Sequence, residues 1–431
     1  MIDRFHLEME KLIQRVRGMN DILPEEEAAW SFLESNAINL FNAYGYKRIQ
    51  IPVLERTELF RRSIGEVTDI VEKEMYTFED LNGDSITLRP EATAGVVRAG
   101  LSNGLFHNQQ QKLWCSGPMF RHERPQKGRY RQFHQLNVEA VGYSGPSLDA
   151  ELIVMAARLW NCLGLKSPTL EINSIGTPSA RENYRKALVE YFRARQDQLD
   201  HDSQRRLERN PIRILDSKNP SMQVLLGEAP LLADYLDAES CTHFEEVKSL
   251  LSGVGVDFTE NPRLVRGLDY YNRTVFEWVS DQLGAQSAVC SGGRYDGLIS
   301  HLGGKDTPAV GWALGVERVV ELLRVEGSDV PRRSPDAYLA IIGDIGRTQG
   351  FVLGESLRDS VSGLYLLVDA IGGSLKSQLR RADRSGAKWA LILGNDEQKG
   401  DHISVKSLRD DRPQLVLTLD ELIKHLRNGV D

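Results

Sequence analysis

The sequence has no unbroken apolar stretch of about eighteen residues, so a membrane-spanning helix is not expected. Its opening stretch, MIDRFHLEMEKLIQRVRG, is charged and has no apolar centre, so no signal peptide is expected and the expected compartment is the cytoplasm. Cysteine is scarce. Cys115, Cys162, Cys241 and Cys290 are scattered, without a CxxC pair or a histidine cluster beside them. That argues against a disulfide framework and a thiolate zinc site, and for ordinary buried thiols in a reducing compartment. No metal site made of protein groups alone is expected. Internal repeats and low-complexity tracts are missing as well. So are the standard phosphate loops. GGKD at 303–306 has Ile299 where a P-loop needs glycine and Asp306 where it needs Ser or Thr, and no GxGxxG follows a strand. A bound nucleotide would have to be held by side chains, and arginine's planar fork suits phosphate oxygens.

What is present is a chain of 431 residues, 41% hydrophobic, enough for two or three domains with cores of their own. The net charge is −8. A nucleic-acid partner stays open, because a local basic surface suffices and distant acids are screened over about 10 Å. Residues 24–45 read as a helix: Pro24 suits the first turn, Glu25 to Glu27 complement the dipole, and Gly45 stops it. Trp30, Leu33, Ala37 and Leu40 form its apolar stripe. KRIQIPVLE follows as a strand, with Ile49, Ile51 and Val53 alternating and Pro52 confining it to an edge or interface. Residues 113–142 read as two strands joined by a long charged loop, and PTLEINSI (168–175) as another strand. Residues 178–255 are polar and helical in pattern and read as an insertion, because sheet-type sequence resumes at PRLVRGLDYYNRTVFEW. A helix is predicted from about 313, in ALGVERVVELLRVEG. GSDVPRRSP is the linker. Beyond it strand and helix patterns alternate, which predicts a separate α/β domain with a mostly parallel sheet.

The charged hairpin carries the chemistry. By strand parity Phe133, Gln135, Asn137 and Glu139 share one face, and Leu136, Val138 and Ala140 share the other, which is core. Arg121 and Glu123 fall together at the end of the preceding strand. A face with an aromatic, two amides and a carboxylate is costly to bury without a polar ligand. A solvated outer face of an antiparallel sheet has the same pattern, and the pattern admits both. The loop adds Arg124, Lys127, Arg129 and Arg131 around Tyr130, a mixture that suits phosphates and stacked bases and equally a solvated loop. Further segments repeat the theme: Glu91 and Thr93 in TLRPEATAG, Glu171 and Asn173 in LEINS, Arg266, Asp269, Tyr270 and Tyr271 in LVRGLDYYN. In SGGRYDGL two glycines, read as letting backbone approach a ligand, precede Arg294, Tyr295 and Asp296. Together they describe a sheet with one polar, arginine-bearing face.

These segments resemble the class II aminoacyl-tRNA synthetases and, within them, the histidyl-tRNA synthetases, over nearly the whole chain. The first helix with GYKRIQIPVLE resembles the first class motif, GPMFRHERPQKGRYRQFHQ the second and VGWALGVERVV the third. LVRGLDYYNRTVFEW and GGRYDGL are similar to signatures of the histidine enzymes. The resemblance implies an α+β fold: an antiparallel catalytic sheet flanked by helices (1–330), a helical insertion at about 178–255, and a C-terminal α/β anticodon-binding domain (335–431). It implies a homodimer built on the first motif, and ligation of L-histidine to tRNA(His) through an adenylate. ATP would be the co-substrate, with Mg²⁺ bound mainly through its phosphates, and neither membrane nor DNA is an expected partner.

The resemblance also assigns roles. Arg121 and Arg266 would hold the α-phosphate as the catalytic pair, Glu123 the adenine amino group, Phe133 the adenine ring, and Arg318 the γ-phosphate side. Glu91, Thr93 and Gln135 would hold the α-amino group of histidine. Glu139 and Tyr271 would read the imidazole, with Tyr295 lining that pocket. Arg17, Asn20, Arg124, Lys127 and Arg129 would approach the tRNA acceptor end, where the family recognises an extra 5′ guanosine. The sequence departs from the family with Ala92 in place of a usual glycine, beside Glu91 and Thr93, and with Trp312 in place of phenylalanine. Two rivals remain: a non-catalytic regulatory subunit of ATP phosphoribosyltransferase, which shares the catalytic fold but usually lacks the anticodon domain, and a histidine- or RNA-binding module without turnover.

Overall fold

A computed structural model describes residues 12–428 except 66–67, 209–210, 216, 218, 285–286, 344–346 and 395–400. Most of the polar opening stretch, residues 1–11, lies outside the described residues. The chain divides into two compact units, Met1–Val330 and Pro331–Asp431, with the boundary inside GSDVPRRSP.

The strands of the first unit are β1 (Lys47–Arg48), β2 (Leu54–Arg56), β3 (Tyr76–Glu79), β4 (Ser85–Leu88), β5 (Gln111–Phe120), β6 (Gln132–Val141), β7 (Thr169–Ser174), β8 (Thr259–Glu260), β9 (Asn272–Val279), β10 (Ala288–Arg294) and β11 (Ala309–Gly315). Eight of them form one sheet in the order β1-β5-β6-β11-β10-β9-β7-β8. Its interior pairings are antiparallel, and only the outermost pairs, β1–β5 and β7–β8, are parallel. β2, β4 and β3 make a small separate sheet.

One face of the large sheet is the core. Leu136, Val138 and Ala140 of β6 pack with Phe276, Trp278, Trp312 and Leu314 from β9 and β11. They meet the apolar side of the helix Ser147–Leu163, through Leu152, Ile153, Ala156 and Leu159. The helix Pro24–Ala43 adds Trp30, Leu33, Ala37 and Phe41. Leu40, assigned to that stripe from the sequence, is only partly buried, and Phe41 takes the inner position. Trp312 is buried, and its indole N–H donates to the carbonyl of Leu152 at 3.2 Å, so the larger ring is accommodated with its polar atom partnered.

Four sequence expectations change. KRIQIPVLE is not one strand: Lys47–Arg48 pairs with β5, Leu54–Arg56 joins the small sheet, and Pro52 falls in the gap between. Proline has no N–H for either ladder. The helix expected from about 313 starts at Val316, because Ala309–Gly315 is a strand. Within 178–255, the last helix, Ala238–Gly253, buries Phe244, Val247 and Leu251 in the main core, whereas Tyr184, Leu188, Phe192, Met222 and Leu232 pack in a second cluster. The second unit carries β12 (Ala337–Ile341), β13 (Leu366–Val368), β14 (Trp389–Leu393), β15 (Ile403–Ser407) and β16 (Leu415–Leu417) in the order β13-β12-β14-β15-β16. β12 is parallel to β13 and β14, but β14–β15 and β15–β16 are antiparallel, so the sheet is mixed. The links before β15 and β16 are shorter than the dozen or so residues a parallel crossover needs.

Candidate active site

The face of the sheet opposite the core is the floor of a cleft. The register sets Gly311, Ala313 and Gly315 of β11 beside Glu139, Asn137 and Gln135 of β6. VGWALG thus alternates large residues toward the core with small ones toward the cleft. At Gly311 the small residue is required: a Cβ there would lie 1.8 Å from Glu139 Oε2. On the other side of β6, Leu113, Cys115 and Met119 of β5 pack under the helix Thr93–Ser102, which walls the cleft. The solvated-face alternative for Phe133, Gln135, Asn137 and Glu139 therefore fails, since Asn137 and Glu139 are buried and Phe133 and Gln135 line the cleft.

The cleft encloses about 880 Å³, part of it open to solvent, and its walls include Glu91, Thr93, Arg121, Glu123, Arg129, Phe133, Gln135, Arg266, Tyr271 and Arg318. Three guanidinium groups from distant parts of the chain thus share one cavity. Arg121 donates Nε to the carbonyl of Pro90 at 2.9 Å and lies over the ring of Phe133, 5.2 Å from its centroid. Arg266 pairs with Glu277 and donates to Ser291 Oγ at 2.8 Å. Arg318, on the first turn of the helix Val316–Val325, donates to the carbonyls of Gly128 (3.1 Å) and Ala288 (2.6 Å). Burial, and then repulsion by Arg121 and Arg129, pushes its pKa down to about 10. It stays charged at neutral pH. Burial also pulls the pKa of Arg121 down, against Glu74 and Glu91. At Arg266 burial acts in the same direction and is the largest single influence, but Glu277, Tyr271 and Tyr270 together outweigh it and the pKa is raised. Arg266 Nε is buried without a hydrogen-bond partner among the described residues.

At one end of the cleft Glu91 accepts the backbone N–H groups of Thr93 (2.7 Å) and Ala94 (2.8 Å) in the first turn of the helix Thr93–Ser102. Burial raises its pKa, against those bonds. Ala92 sits at φ −104°, where glycine's freedom is not needed, so that departure leaves the turn intact. Gln135 Oε1 is a buried acceptor without a donor among the described residues. Thr93 Oγ1 donates to Glu139 Oε1 at 2.6 Å, and the Tyr295 hydroxyl donates to Glu139 Oε2. Glu139 and Tyr295 lie behind the cleft wall, beneath Thr93 and Tyr271, and not on the wall itself. Burial pushes the Glu139 carboxyl up to about 8, against the bonds from Thr93 and Tyr295. Tyr270, beside Thr93, shares the wall with Tyr271, its ring centroid 4.7 Å away.

The charged loop divides. Arg129 pairs with Glu123, and Arg131 donates to the Glu123 carbonyl at 3.1 Å, so these two cations hold the loop to itself. Arg124 is exposed, and Lys127 is exposed with Glu321 at 2.8 Å. Arg17 and Asn20 are brought to the same loop, because the N–H of Arg131 donates to the Gly18 carbonyl at 2.7 Å. Gly18 has φ +85°, and a Cβ there would lie 2.8 Å from Pro125.

GGRYDGL corrects the sequence reading. A Cβ on Gly292 would meet the Gly311 carbonyl at 2.2 Å, and one on Gly293 the Thr274 carbonyl at 2.5 Å. Both glycines serve close strand packing, not backbone approach to a ligand. Arg294 is not part of the polar floor either, since it is 1% exposed and paired with Asp149. Glu171 and Asn173 are likewise absent from the cleft walls; Glu171 accepts from Asn261 (2.7 Å) and Asn173 donates to the Leu264 carbonyl (3.0 Å). Sequence reasoning missed Gly311, Ala313 and Gly315, although the small-large alternation of VGWALG was there to read. It also missed Glu317, a wall residue held by His134 through its backbone N–H and Nδ1, both at 2.9 Å, which no local pattern pairs. Among the described residues no group of three His, Cys, Asp or Glu could hold a metal ion, and no helix is long and apolar enough to cross a membrane.

Residues 18–319 match the family model described as Histidyl-tRNA synthetase, and residues 354–429 the one described as Anticodon binding domain. A histidine–tRNA ligase of Halorhodospira halophila is 55% identical over 417 residues, 97% of this chain and 98% of that one. One of Alkalilimnicola ehrlichii is 56% identical over 418 residues, 97% of each chain. The crystal structure of apo S. aureus histidyl-tRNA synthetase superposes with a TM-score of 0.82 at 36% identity, covering 96% of this chain and all of that one. With the class II sheet, its cleft of converging arginines and the C-terminal domain all accounted for, the chain belongs to the histidyl-tRNA synthetase family.

Proposed function

We infer that this protein is a histidine–tRNA ligase, which activates L-histidine with ATP to histidyl-adenylate and pyrophosphate and then transfers histidine to the 3′ end of tRNA(His). The observation that carries the reading is the convergence of Arg121, Arg266 and Arg318 on one cleft with an acceptor-rich end. The regulatory-subunit alternative is disfavoured by the anticodon-binding domain at 354–429.

The histidine carboxylate attacks the α-phosphorus and pyrophosphate leaves. The nucleophile is already ionised at neutral pH, so this step needs no general base. What it needs is stabilisation of charge developing on phosphate oxygens. Arg121 and Arg266 take the α-phosphate as catalytic residues, and the unpartnered Nε of Arg266 supports that role. Arg318 takes the γ-phosphate side. Phe133 stacks on adenine, and Glu123 exchanges its pairing with Arg129 for the adenine amino group. Glu91, Thr93 and Gln135 receive the α-ammonium group, for which the unpartnered Gln135 Oε1 is a ready acceptor. Glu139 and Tyr271 read the imidazole nitrogens, with Tyr295 fixing Glu139 from behind; a hydroxyl and a carboxyl suit a ring that both donates and accepts. Mg²⁺ would supply charge neutralisation on the outer phosphates and would be held mainly by them. Glu317, on the cleft wall beside Arg318, is a carboxylate of the kind such an ion takes, and it would have to share its oxygens with the bonds it accepts from His134.

Arg17, Asn20, Arg124 and Lys127 face the tRNA acceptor end, and Arg129 joins them when Glu123 exchanges it for the adenine amino group. The assembly is a homodimer, supported by the exposed Val53, Leu54, Phe78 and Leu81 near the first motif, and the site of action is the cytoplasm. Histidine-dependent exchange of pyrophosphate into ATP tests the activation step, and its absence in the purified protein would refute the reading.

A further inference from the structure

Behind the cleft lies a buried charged network that the mechanism does not use. Arg294 spends its donors on five acceptors: both oxygens of Asp149, the carbonyls of Tyr143 (3.1 Å) and Gly145 (2.7 Å), and Asp296 Oδ1 (3.1 Å). Asp149, fully buried on the helix Ser147–Leu163, also meets His243 Nε2 at 3.1 Å. Asp296 passes the restraint on. Its carboxylate accepts from the Ala309 N–H (3.0 Å) and Asn272 Nδ2 (3.0 Å), and its own N–H donates to Asn272 Oδ1 (2.9 Å). None of these side chains lines the cleft.

The residues so held flank the two tyrosines of the histidine end. Tyr295 stands between Arg294 and Asp296, and Asn272 follows Tyr271. The sheet is irregular at this point: the β9–β10 register shifts between Gly293 and Arg294, so that Arg294 comes to face Asn272. Next to Asn272, Arg273 has φ +51°, a conformation that non-glycine residues hold only when their surroundings impose it. A buried ion pair is a poor way to gain stability, because desolvation cancels much of its attraction and apolar replacements often do as well. It is a good way to fix a geometry, because each partner has one place to be.

We propose that the Arg294–Asp149 pair, continued through Asp296 to Asn272, is a positioning device that sets Tyr295 and Tyr271 against Glu139 and thereby determines the affinity for histidine. The proposal rests on the imidazole-pocket reading given above. The residues concerned touch no substrate and act through the tyrosines.

The test is pyrophosphate exchange by the full-length protein carrying Arg294→Lys or Asn272→Ala, with Glu139→Gln as a control, each checked for folding by circular dichroism. Both positioning variants should raise KM for histidine about tenfold or more, as expected when a support shell lets a binding group drift. KM for ATP and kcat should change much less, because Arg121 and Arg318 are anchored elsewhere and Arg266, although it lies over the Tyr271 ring, is held by Glu277 and Ser291. Arg294→Lys leaves Asp149 poorly matched in the core, and a fold failure would leave the decision to Asn272→Ala, which removes two hydrogen bonds and keeps the ion pair. A folded Asn272→Ala protein with unchanged KM for histidine, while Glu139→Gln raises it, would overturn the proposal. A parallel rise in both KM values would also overturn it, as general loosening. Unchanged KM for histidine in Glu139→Gln would instead refute the pocket reading itself, and the positioning role with it.

Discussion

Replacing Glu139 by glutamine should reveal how much stability the empty pocket gives up to hold a carboxyl group. Glu139 is fully enclosed, with Thr93 and Tyr295 as its hydrogen-bond partners. Burial raises its pKa from the ordinary 4.5 to about 8, against the bonds from those two hydroxyls. The folded-state value lies above the unfolded one, so the neutral carboxyl's contribution is complete below about pH 4.5 and is lost as the pH rises through about 8. At about 1.4 kcal/mol for each pH unit between those values, ionising the side chain costs the empty fold on the order of 5 kcal/mol. Glutamine cannot ionise, and both neighbouring hydroxyls can donate or accept, so the amide keeps two hydrogen bonds. Urea unfolding of ligand-free wild type and Glu139→Gln at pH 5, 7 and 9, followed by fluorescence of the core tryptophans, should give a stability difference near zero at the lowest pH. The difference should grow in favour of glutamine by several kcal/mol at the highest. The same variant should lose selectivity for histidine. A stability difference that does not change with pH would show that Glu139 is not held neutral, and would refute the reasoning.

Arg266→Ala should slow adenylate formation on the order of a hundredfold or more while histidine affinity stays within a few-fold, measured by single-turnover exchange and equilibrium binding; unimpaired exchange would remove Arg266 from the phosphate site. Gly311→Ala should cost about 1–3 kcal/mol in thermal unfolding and raise KM for histidine, because the new methyl falls on the Glu139 carboxylate, and wild-type behaviour in both would contradict that close packing. The double change Arg17→Ala, Arg124→Ala should weaken aminoacylation and flatten its dependence on salt while leaving pyrophosphate exchange intact. Losing exchange together with aminoacylation would place these arginines in the activation site. Removing the extra 5′ guanosine from the tRNA should lower transfer by wild type and matter much less to the double variant; an equal penalty for both proteins would separate that nucleotide from these residues.

Local patterns were enough wherever one element decides its own environment. Strand parity put Leu136, Val138 and Ala140 in the core and Gln135, Asn137 and Glu139 on the other side, because alternation is a property of the strand alone. The linker was legible in its glycine and proline content, and the class motifs could be read because each is contiguous. Where an outcome depends on what lies opposite, the sequence was silent or misleading. It offered Arg294 as a ligand-facing cation and Gly292 and Gly293 as points of backbone approach. The partners that decide otherwise, Asp149, Gly311 and Thr274, come from other strands and a distant helix. Arg318 looks like a surface residue on a helix until the Gly128 and Ala288 carbonyls turn it inward.

The sequence by itself determined which residue types were available, how each strand divides between core and cleft, and where one unit ends and the next begins. These follow from backbone periodicity and composition, which act over a few residues. Only the tertiary structure decided that three arginines share one cavity, that Glu139 is buried beneath Thr93 and Tyr271 with Tyr295 behind it, and that Arg294 faces a buried aspartate. Charge, burial and hydrogen-bond partners arise between segments far apart in the chain, and they exist only once the sheet has brought those segments together.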